Sequence, residues 1–364
     1  MWPDRRLLDL FDIELPMLLA PMAGAMDFEL AAAVAQAGAL PSLPCAMLDP
    51  AKAREQMAAF RARSGSRLNA KINLGFFCHA QPELNNAREA RWRERLAPYY
   101  AELGIDPAAP VPTSMRLPFD AEFCAVVEET KPGVVSFHFG LPEQSLLKRV
   151  KAAGCLVLAS ATSVAEARWL EARGVDAIVA QGYEAGGHRG MFLSAELAAQ
   201  VGTFALVPQV VDAVKVPVIA AGGITDARGI AAAFALGAAG VQIGTAFLFT
   251  PEAKISAPHR AALCAARDDG TAVTNLMTGR PARGLVNRVM REIGPINEIA
   301  PAFPLAAGAL VPLRAKAEAQ GSGDFTPMWA GQAASLGRAM PAAELTRTLA
   351  AEALALMQRM GGAG

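Results

Sequence analysis

The segment QGYEAGGHRG, residues 181–190, follows the apolar run DAIVA and contains four glycines, a glutamate, a histidine and an arginine. A tight turn needs one or two glycines, so this spacing indicates backbone that another group must approach closely. An imidazole on such a loop can contact a bound cofactor, order the loop or transfer a proton. We assign His188 first to cofactor contact or loop order, and only second to catalysis.

The motif SFHFG, residues 136–140, contains the main candidate for proton transfer, His138. A histidine inside an apolar strand is about as often a hydrogen-bonded core residue as a functional one. The turn that begins at Gly140 places His138 at the end of its predicted strand, which favours a pocket. An imidazole is the usual proton acceptor in a pocket, so we predict a general base. No spacing of His, Cys, Asp or Glu predicts a metal site, and no GxSxG motif predicts a serine nucleophile.

Two further glycine motifs, AAGGI at 220–224 and QIGTAF at 242–247, predict a phosphate site. In α/β barrels the loops after the seventh and eighth strands bind phosphate through backbone N–H groups. Gly222 and Gly223 allow the close approach, and Thr245 supplies a hydroxyl. The simpler alternative is two tight turns. Neither motif contains a lysine or arginine, so a cofactor phosphate held by amides fits better than a transferred phosphate.

Short apolar strands alternate with helical stretches over most of the chain and supply the elements that hold these residues. The predicted strands span 17–20, 39–43, 69–76, 133–140, 155–160, 176–182, 216–223 and 241–247. The predicted helices span 27–38, 49–64, 83–103, 142–154, 162–174 and 225–237. Because strands buried on both faces lose the alternating pattern, the eight strands favour an α/β fold, a closed TIM (β/α)8 barrel. The alternative, an open doubly wound sheet, would normally have GxGxxG after its first strand, where this chain has LAPMAGAM.

Chemistry in such barrels occurs at the carboxyl ends of the strands. The residues expected at those ends are Pro21, Met22, Asn73, His138, Ser160, Gln181 to His188, Gly222, Gly223, Gly244 and Thr245. Glycine, amide, hydroxyl and imidazole groups at so many strand ends exceed what turns require. We therefore predict one binding site at this end of the barrel.

The chain is predicted to divide into a barrel at 1–250, a cap at 251–330 and a C-terminal segment at 331–364 with a helix over 342–360. After Thr250 the strand pattern stops, so the cap is expected to be helical or irregular and to cover the barrel mouth. Arg280, Arg283 and Arg288 lie close together in it. We consider them equally as ion-paired struts and as substrate contacts.

Composition limits the class of partner. The chain has 364 residues with 34 basic and 34 acidic side chains, and this balance argues against nucleic acid and anionic membrane as partners. Charged residues occupy the N-terminus where a signal peptide would need an apolar core, so we expect a cytoplasmic protein. The five cysteines form no CxxC pair, which indicates buried thiols in a reducing compartment.

Eight segments match one known family. They are LAPMAGAMD (19–27), KINLGFF (71–77), VVSFHFGLP (134–142), AQGYEAGGHRG (180–190), VIAAGGITDARG (218–229), VQIGTAF (241–247), TGRPARGLVNR (278–288) and FTPMWAGQAA (325–334). The chain resembles the nitronate monooxygenases, formerly called 2-nitropropane dioxygenases, which are FMN-dependent barrels. The FHFG, GRPARG and WAGQ segments are similar to the bacterial class I branch.

The resemblance implies non-covalent FMN and a role for each matching position. His138 matches the catalytic histidine beside the flavin, and Asn73, Gln181 and Gly186 match FMN contacts. The phosphate is expected on the two glycine motifs already described. With the strand-end residues, the predicted cofactor site is Ala20, Pro21, Met22, Asn73, Gln181, Gly186, His188, Gly222, Gly223, Gln242, Ile243, Gly244 and Thr245.

The implied function is oxidative denitrification of an alkyl nitronate, such as propionate 3-nitronate, with O₂ to a carbonyl compound and nitrite or nitrate. The expected partners are this small molecule and O₂. One alternative is an NAD(P)H-dependent quinone or enoyl-thioester reductase on the same fold, and another is a flavin-binding protein without turnover. With Tyr99, Tyr100 and Tyr183 as its three tyrosines, the chain departs from the family's tyrosine-lined substrate pocket. The oligomeric state stays open.

Overall fold

Eight parallel strands close into a barrel in the computed structural model, which describes residues 1–64, 71–108, 110–112 and 116–361. The described strands are β1 (Met17–Leu19), β2 (Ser42–Pro44), β3 (Ile72–Phe77), β4 (Gly133–His138), β5 (Leu156–Ala161), β6 (Ala177–Gln181), β7 (Gly187–His188), β8 (Val218–Ala221), β9 (Gly240–Ile243), β10 (Thr271–Thr274) and β11 (Ala282–Leu285). The barrel sheet has the order β1-β9-β8-β6-β5-β4-β3-β2. A parallel bridge between Leu18 and Leu40 joins its two edges. The predicted (β/α)8 barrel is confirmed.

Helices surround the barrel and cover one end of it. They are α1 (Arg6–Phe11), α2 (Phe28–Gln36), α3 (Pro50–Arg63), α4 (Asn86–Glu102), α5 (Ala121–Thr130), α6 (Gln144–Ala152), α7 (Val164–Glu171), α8 (Thr203–Ala213), α9 (Ala227–Ala235), α10 (Ala257–Cys264), α11 (Arg288–Ile293), α12 (Ala306–Ala319) and α13 (Ala342–Gly361). Many begin at a side chain that accepts a backbone N–H of the first turn, as Asp27, Asp49, Asp120, Ser163 and Asp226 do. Helices α1, α5 and α8 were not predicted from the sequence.

Apolar side chains fill the amino-terminal half of the barrel interior. One buried cluster joins Leu18, Val134, Leu158, Val179 and Ile219 from the strands with Leu40, which precedes β2. Leu7 and Phe11 of α1 are fully buried in the same cluster. Helix α1 therefore closes this end of the barrel, and a binding site can form only toward the carboxyl ends.

The expectation that strands stop after residue 250 is wrong. Strands β10 and β11 pair antiparallel, and β11 pairs with β7 through Ala282 opposite His188 and Arg283 opposite Gly187. Strand β7 has two residues, and it is a strand because a segment about a hundred positions later supplies its partner. Such a pairing leaves no periodic pattern in the local sequence.

A second core forms outside the barrel, where α4 packs against α12. The indole nitrogen of Trp92 donates to the carbonyl of Ala306 at 3.2 Å, and the Tyr100 hydroxyl donates to the carbonyl of Ala309 at 2.6 Å. Helix α4 is thus joined to the chain segment predicted to be the cap. Helix α13 packs against α2 and α9. The division at residues 250 and 330 stays a prediction.

Several strand boundaries differ from the predicted ones. Strand β9 ends at Ile243, and a 3₁₀ turn follows over Thr245–Phe249. Strand β4 ends at His138 because Phe139 and Gly140 have left-handed backbone, with φ of 71° and 92°. The first two residues predicted for strand three, 69 and 70, lie outside the described residues.

The cysteines of the chain form no disulfide bond. All five cysteines are free thiols, and Cys45, Cys124 and Cys155 are buried as expected, whereas Cys264 is exposed. Among the described helices, none is long and apolar enough to cross a membrane. The cytoplasmic location stays a prediction.

Candidate active site

A cavity of about 260 Å³ opens at the carboxyl ends of the barrel strands. Twelve of the fourteen predicted site residues line it: Ala20, Pro21, Met22, His138, Gln181, Gly186, His188, Gly222, Gly223, Gln242, Gly244 and Thr245. Because parallel strands of a closed barrel all end at the same side, residues far apart in sequence meet here.

His138 lies in the wall of this cavity as the last residue of β4. Its Nε2 is 3.1 Å from the backbone carbonyl oxygen of His188. A carbonyl oxygen can only accept, so Nε2 carries the ring proton and Nδ1 keeps a lone pair. Burial lowers the pKa of His138 to about 3, the His188 contact opposes the shift, and the charges of Arg280 and Arg189 add to it. The imidazole is therefore neutral at physiological pH.

The loop after β6 is held by hydrogen bonds from its own side chains. Gln181 donates from Nε2 to the His188 carbonyl at 3.0 Å and accepts the Gly190 N–H on Oε1 at 2.7 Å. The fully buried Arg189 donates to the carbonyls of Gln181 at 2.9 Å and Gly182 at 2.7 Å. A Cβ on Gly190 would lie 2.9 Å from Cε1 of His138, so glycine makes room for the imidazole.

His188 is fixed from both its backbone and its side chain. Its backbone belongs to β7, and its Nε2 lies 2.9 Å from the Thr278 hydroxyl. Its ring packs against Phe303 and Trp329, with centroids 5.3 and 5.5 Å away. Burial, followed by the charge of Arg116, places the pKa of His188 well below its ordinary value. These contacts agree with a role in loop order, which stays a prediction.

Gly186 approaches the backbone of the later WAGQ segment. A Cβ on Gly186 would lie 2.6 Å from the backbone N of Gly331, and a Cβ on Gly331 would lie 2.8 Å from the carbonyl oxygen of Glu184. The N–H of Gln332 donates to that same carbonyl at 3.0 Å. Gly186 therefore serves a backbone-to-backbone contact that builds the cavity wall.

The Gly222–Gly223 turn also lines the cavity, and its residues have φ of 106° and 71°. Only glycine adopts these angles readily, so the turn requires glycine at both positions. The Thr203 hydroxyl donates to the Gly222 carbonyl at 2.9 Å. The Glu184 carboxylate accepts the Thr203 N–H at 2.8 Å and so caps α8 beside the turn.

Asn73 and Ile243 do not line the cavity. Asn73 is the second residue of β3, not its end, and it is fully buried. Its Nδ2 donates to the Ser42 hydroxyl at 3.0 Å, while Oδ1 has no hydrogen-bond partner among the described residues. Ile243 is buried in the core between barrel and helices. Their assignment to cofactor binding stays a prediction.

Comparison with known proteins decides the family. The family model described as Nitronate monooxygenase matches residues 4–352. A nitronate monooxygenase of Pseudomonas aeruginosa is 41% identical over 346 residues, covering 94% of this chain and 97% of that protein. This chain belongs to the nitronate monooxygenase family.

Two further relatives agree with this assignment. A nitronate monooxygenase of Paraburkholderia phytofirmans is 42% identical, and the match covers 96% of this chain and 94% of that protein. The crystal structure of nitroalkane oxidase from Streptomyces ansochromogenes matches with a TM-score of 0.88 and 38% identity, over 98% of this chain and 99% of that one. Membership of the nitronate monooxygenase family supports an oxidoreductase that acts on nitronates. The predictions of this family and of an enzyme are confirmed.

Of the three cap arginines considered as substrate contacts in this member of the nitronate monooxygenase family, Arg283 and Arg288 have structural roles. Arg288 forms ion pairs with Glu102 at 2.7 Å and Glu292 at 2.8 Å. Arg283 is buried and donates from Nε to the carbonyl of Tyr183 at 3.1 Å. Neither lines the described cavity.

Arg280 lies closer to the site without lining the described cavity. Its guanidinium carbon is 3.9 Å from the ring centre of Phe139, and it donates to the carbonyl of Met191. The cations that do line the cavity are Lys254, Arg116 and Arg314. None of the three was predicted from the sequence, because single basic residues outside a motif give no signal.

The aromatic side chains of the cavity were also missed. Phe77, at the true end of β3, and Trp329, within the WAGQ segment, both line it. The tyrosines lie elsewhere: Tyr99 and Tyr100 are buried in the second core, and Tyr183 packs under the guanidinium of Arg283. The family's tyrosine-lined substrate pocket therefore has no counterpart in the described cavity. Among the described residues, no group of His, Cys, Asp and Glu is arranged to hold a metal ion.

Proposed function

We propose that this protein binds FMN in the cavity and oxidises alkyl nitronates with O₂ to a carbonyl compound and nitrite or nitrate. The observation that carries the proposal is His138, a neutral, half-buried imidazole in the cavity wall whose Nε2 is held by the His188 carbonyl. Because Nε2 carries the ring proton, Nδ1 is the ring nitrogen that can accept a hydrogen bond or a proton.

The glycine turn in the cavity wall supports a flavin mononucleotide as the cofactor. Gly222 and Gly223 have left-handed backbone and line the cavity, and the backbone amides of such a turn can hold a phosphate.

The residues that would hold FMN are the lining residues predicted above. Gly223, Gly244 and Thr245 would hold the phosphate, and Gln181 and Gly186 would contact the ring through the loop that Arg189 fixes. When bound, FMN supplies the redox chemistry with the nitronate and O₂.

The protein positions the substrate and controls one proton. His138 would accept a hydrogen bond at Nδ1, or take the α-proton of a neutral nitroalkane. Phe77 and Trp329 line the cavity beside it and exclude water from the reacting atoms. Binding to this wall orients the substrate against the imidazole.

An absorption spectrum of the purified protein reconstituted with FMN, followed by an oxygen-electrode assay with several nitronates, tests the proposal. We expect a bound-flavin spectrum and nitronate-dependent oxygen uptake. Rapid bleaching of the flavin by NADPH without oxygen, together with no uptake on nitronates, would favour the reductase alternative. Bound flavin with neither reaction would favour a binding protein without turnover.

A further inference from the structure

A network of buried polar side chains lies behind the loop that follows β6. It begins at Glu166 of α7, which is 1% exposed, and ends at Arg189, which is fully buried. Thr162 and Gln200 connect these two charged residues, and we call the four residues the buried network. None of them lines the described cavity. Because burying a charge is costly, a carboxylate and a guanidinium at this place call for a role.

The hydrogen bonds along the buried network all point from the cation toward the carboxylate. Arg189 can only donate, and it donates to Oε1 of Gln200 from Nε at 3.1 Å and from Nη2 at 2.9 Å. Nε2 of Gln200 donates to the Thr162 hydroxyl at 3.1 Å. That hydroxyl donates to Oε2 of Glu166 at 2.8 Å. Hydrogen bonds aligned in this way strengthen one another, so the network is expected to act as one unit.

Glu166 holds more than the start of its own helix. Ser163 and Glu166 have the spacing of a capping box, and Oε2 of Glu166 accepts the Thr162 N–H at 2.7 Å beside the helix start. Its other oxygen, Oε1, accepts the N–H groups of Phe192 at 2.6 Å and Leu193 at 3.2 Å. A helix cap does not require these two contacts. Glu166 therefore also fixes the chain that leaves β7.

Two anchors thus hold the segment 188–193 against the imidazole of His138. Arg189 ties the first part of this segment to the carbonyls at the end of β6, and Glu166 ties its last two residues. Between the anchors, the His188 carbonyl accepts the ring N–H of His138 at 3.1 Å. A carbonyl anchored on both sides resists displacement, so the imidazole keeps its orientation.

We propose that the members of the buried network are positioning residues for His138. The inference rests on the proposed function, in which Nδ1 of His138 accepts a hydrogen bond or a proton. The network lies outside the cavity wall and acts through the His188 carbonyl. Breaking it should loosen the segment 188–193 and misplace the imidazole. Turnover should then fall while KM changes little, because the substrate still meets the same lining residues.

The kinetic test replaces Thr162 in two ways. Thr162→Val removes the hydroxyl in the middle of the network and keeps the shape of the side chain, whereas Thr162→Ser keeps the hydroxyl. With a neutral nitroalkane, or with the nitronate if only that is turned over, we expect Thr162→Val to lower kcat at least roughly tenfold and to change KM less than about twofold, as for a misplaced base. Thr162→Ser should recover most of kcat.

Thr346→Val is the matched control for the loss of a buried hydroxyl. Thr346 is fully buried in α13, its hydroxyl donates to the carbonyl of Ala342 at 2.8 Å, and it does not line the cavity. We expect Thr346→Val to lower stability and to leave kcat and KM unchanged.

Exchange of the His138 ring proton with water gives a readout that needs no turnover. Nitrogen-15 NMR of the FMN-reconstituted protein with labelled histidine follows this proton, and His138→Asn identifies its signal. In Thr162→Val we expect exchange to become at least roughly tenfold faster, because a hydrogen-bonded proton exchanges only when its bond opens. Thr162→Ser and Thr346→Val should keep the wild-type rate.

Wild-type ring-proton exchange in Thr162→Val, or wild-type kcat in that variant, would overturn the inference. Equal effects of Thr162→Val and Thr346→Val would also overturn it, because they would reflect a loss of stability alone. If the wild-type protein oxidises neither substrate, the proposed function fails, and the exchange rates alone decide whether the network positions His138. If Thr162→Val does not fold, Gln200→Leu carries the same comparison, with Gln209→Leu at an exposed position of α8 as its control.

Discussion

The backbone carbonyl of His188 accepts a hydrogen bond from Nε2 of His138 at 3.1 Å. The same oxygen accepts the side-chain amide of Gln181 at 3.0 Å. One carbonyl of the glycine-rich loop thus decides which ring nitrogen of the imidazole carries the proton. The loop and the imidazole are coupled through this oxygen. A substitution in the loop should therefore change the position of the His138 ring, and a substitution of His138 should change the loop.

Replacing His138 by asparagine should separate its hydrogen bond to the His188 carbonyl from its role as a proton acceptor. The asparagine amide can still donate to the His188 carbonyl, so FMN should stay bound, but no proton acceptor remains. We expect kcat/KM for a neutral nitroalkane to fall roughly 10²-fold or more, as is usual when a general base is lost. The loss should be smaller for the pre-formed nitronate, which has no α-proton to remove. Steady-state assays with both substrates measure this, and equal losses would leave His138 with a binding role alone.

Stability should fall as the pH drops below neutrality, because all four histidines have lowered pKa values. Burial lowers the pKa to about 3 for His138, to about 4 for His79 and His259, and well below its ordinary value for His188. The unfolded chain takes up these protons near pH 6.5 while the folded protein does not. Stability therefore declines from about pH 6.5 down to about pH 4, by about 1.4 kcal/mol per pH unit for each histidine.

Urea unfolding at pH 7.5, 6.0 and 5.0, with FMN held at one concentration, measures this slope. His79→Leu removes one of the four histidines and should make the slope shallower by about one proton. A free energy of unfolding that stays constant between pH 7.5 and 5.0 would contradict buried neutral imidazoles.

Gly223→Val should weaken FMN binding, because a branched side chain at φ of 71° strains the turn and shields the amides from the phosphate. We expect the Kd for FMN to rise at least tenfold, measured by flavin fluorescence. Gly104→Val is the matched control, since Gly104 has φ of 66°, no atom near a Cβ and no place in the cavity wall. If Gly223→Val purifies yellow and saturated, the phosphate lies elsewhere.

Gly186 and Gly331 should be energetically coupled, because each makes room for the backbone of the other's segment. Gly186→Ala and Gly331→Ala should each lower the free energy of unfolding by about 1–3 kcal/mol, the usual cost of overpacking. The double variant should cost less than the sum, because the contact is already broken by the first change. Gly187→Ala, where a Cβ meets open space, should not couple to Gly331→Ala. Additive losses from Gly186→Ala and Gly331→Ala would show that the two segments do not support each other.

The barrel and twelve of the residues that line the cavity could be predicted from the sequence. Near-continuous apolar runs such as 155–160 mark strands buried on both faces, and such burial is a local property that a sequence pattern records. Once a closed parallel barrel is inferred, its geometry brings all the strand ends together. His138, Gln181 and Gly223 could therefore be placed in one site without knowledge of any contact between them.

Contacts between residues far apart in the chain could not be predicted from the sequence. The pairing of Gly187 with Arg283, the carbonyl that fixes His138, and the joint position of Arg116 and Arg314 all depend on segments far apart in sequence. The position of Asn73 could not be predicted from the sequence either. Its burial depends on where β3 ends and on the hydrogen bond to Ser42 in the neighbouring strand. Periodicity reports whether a residue is buried in its own element, whereas these contacts arise only when separate elements pack together.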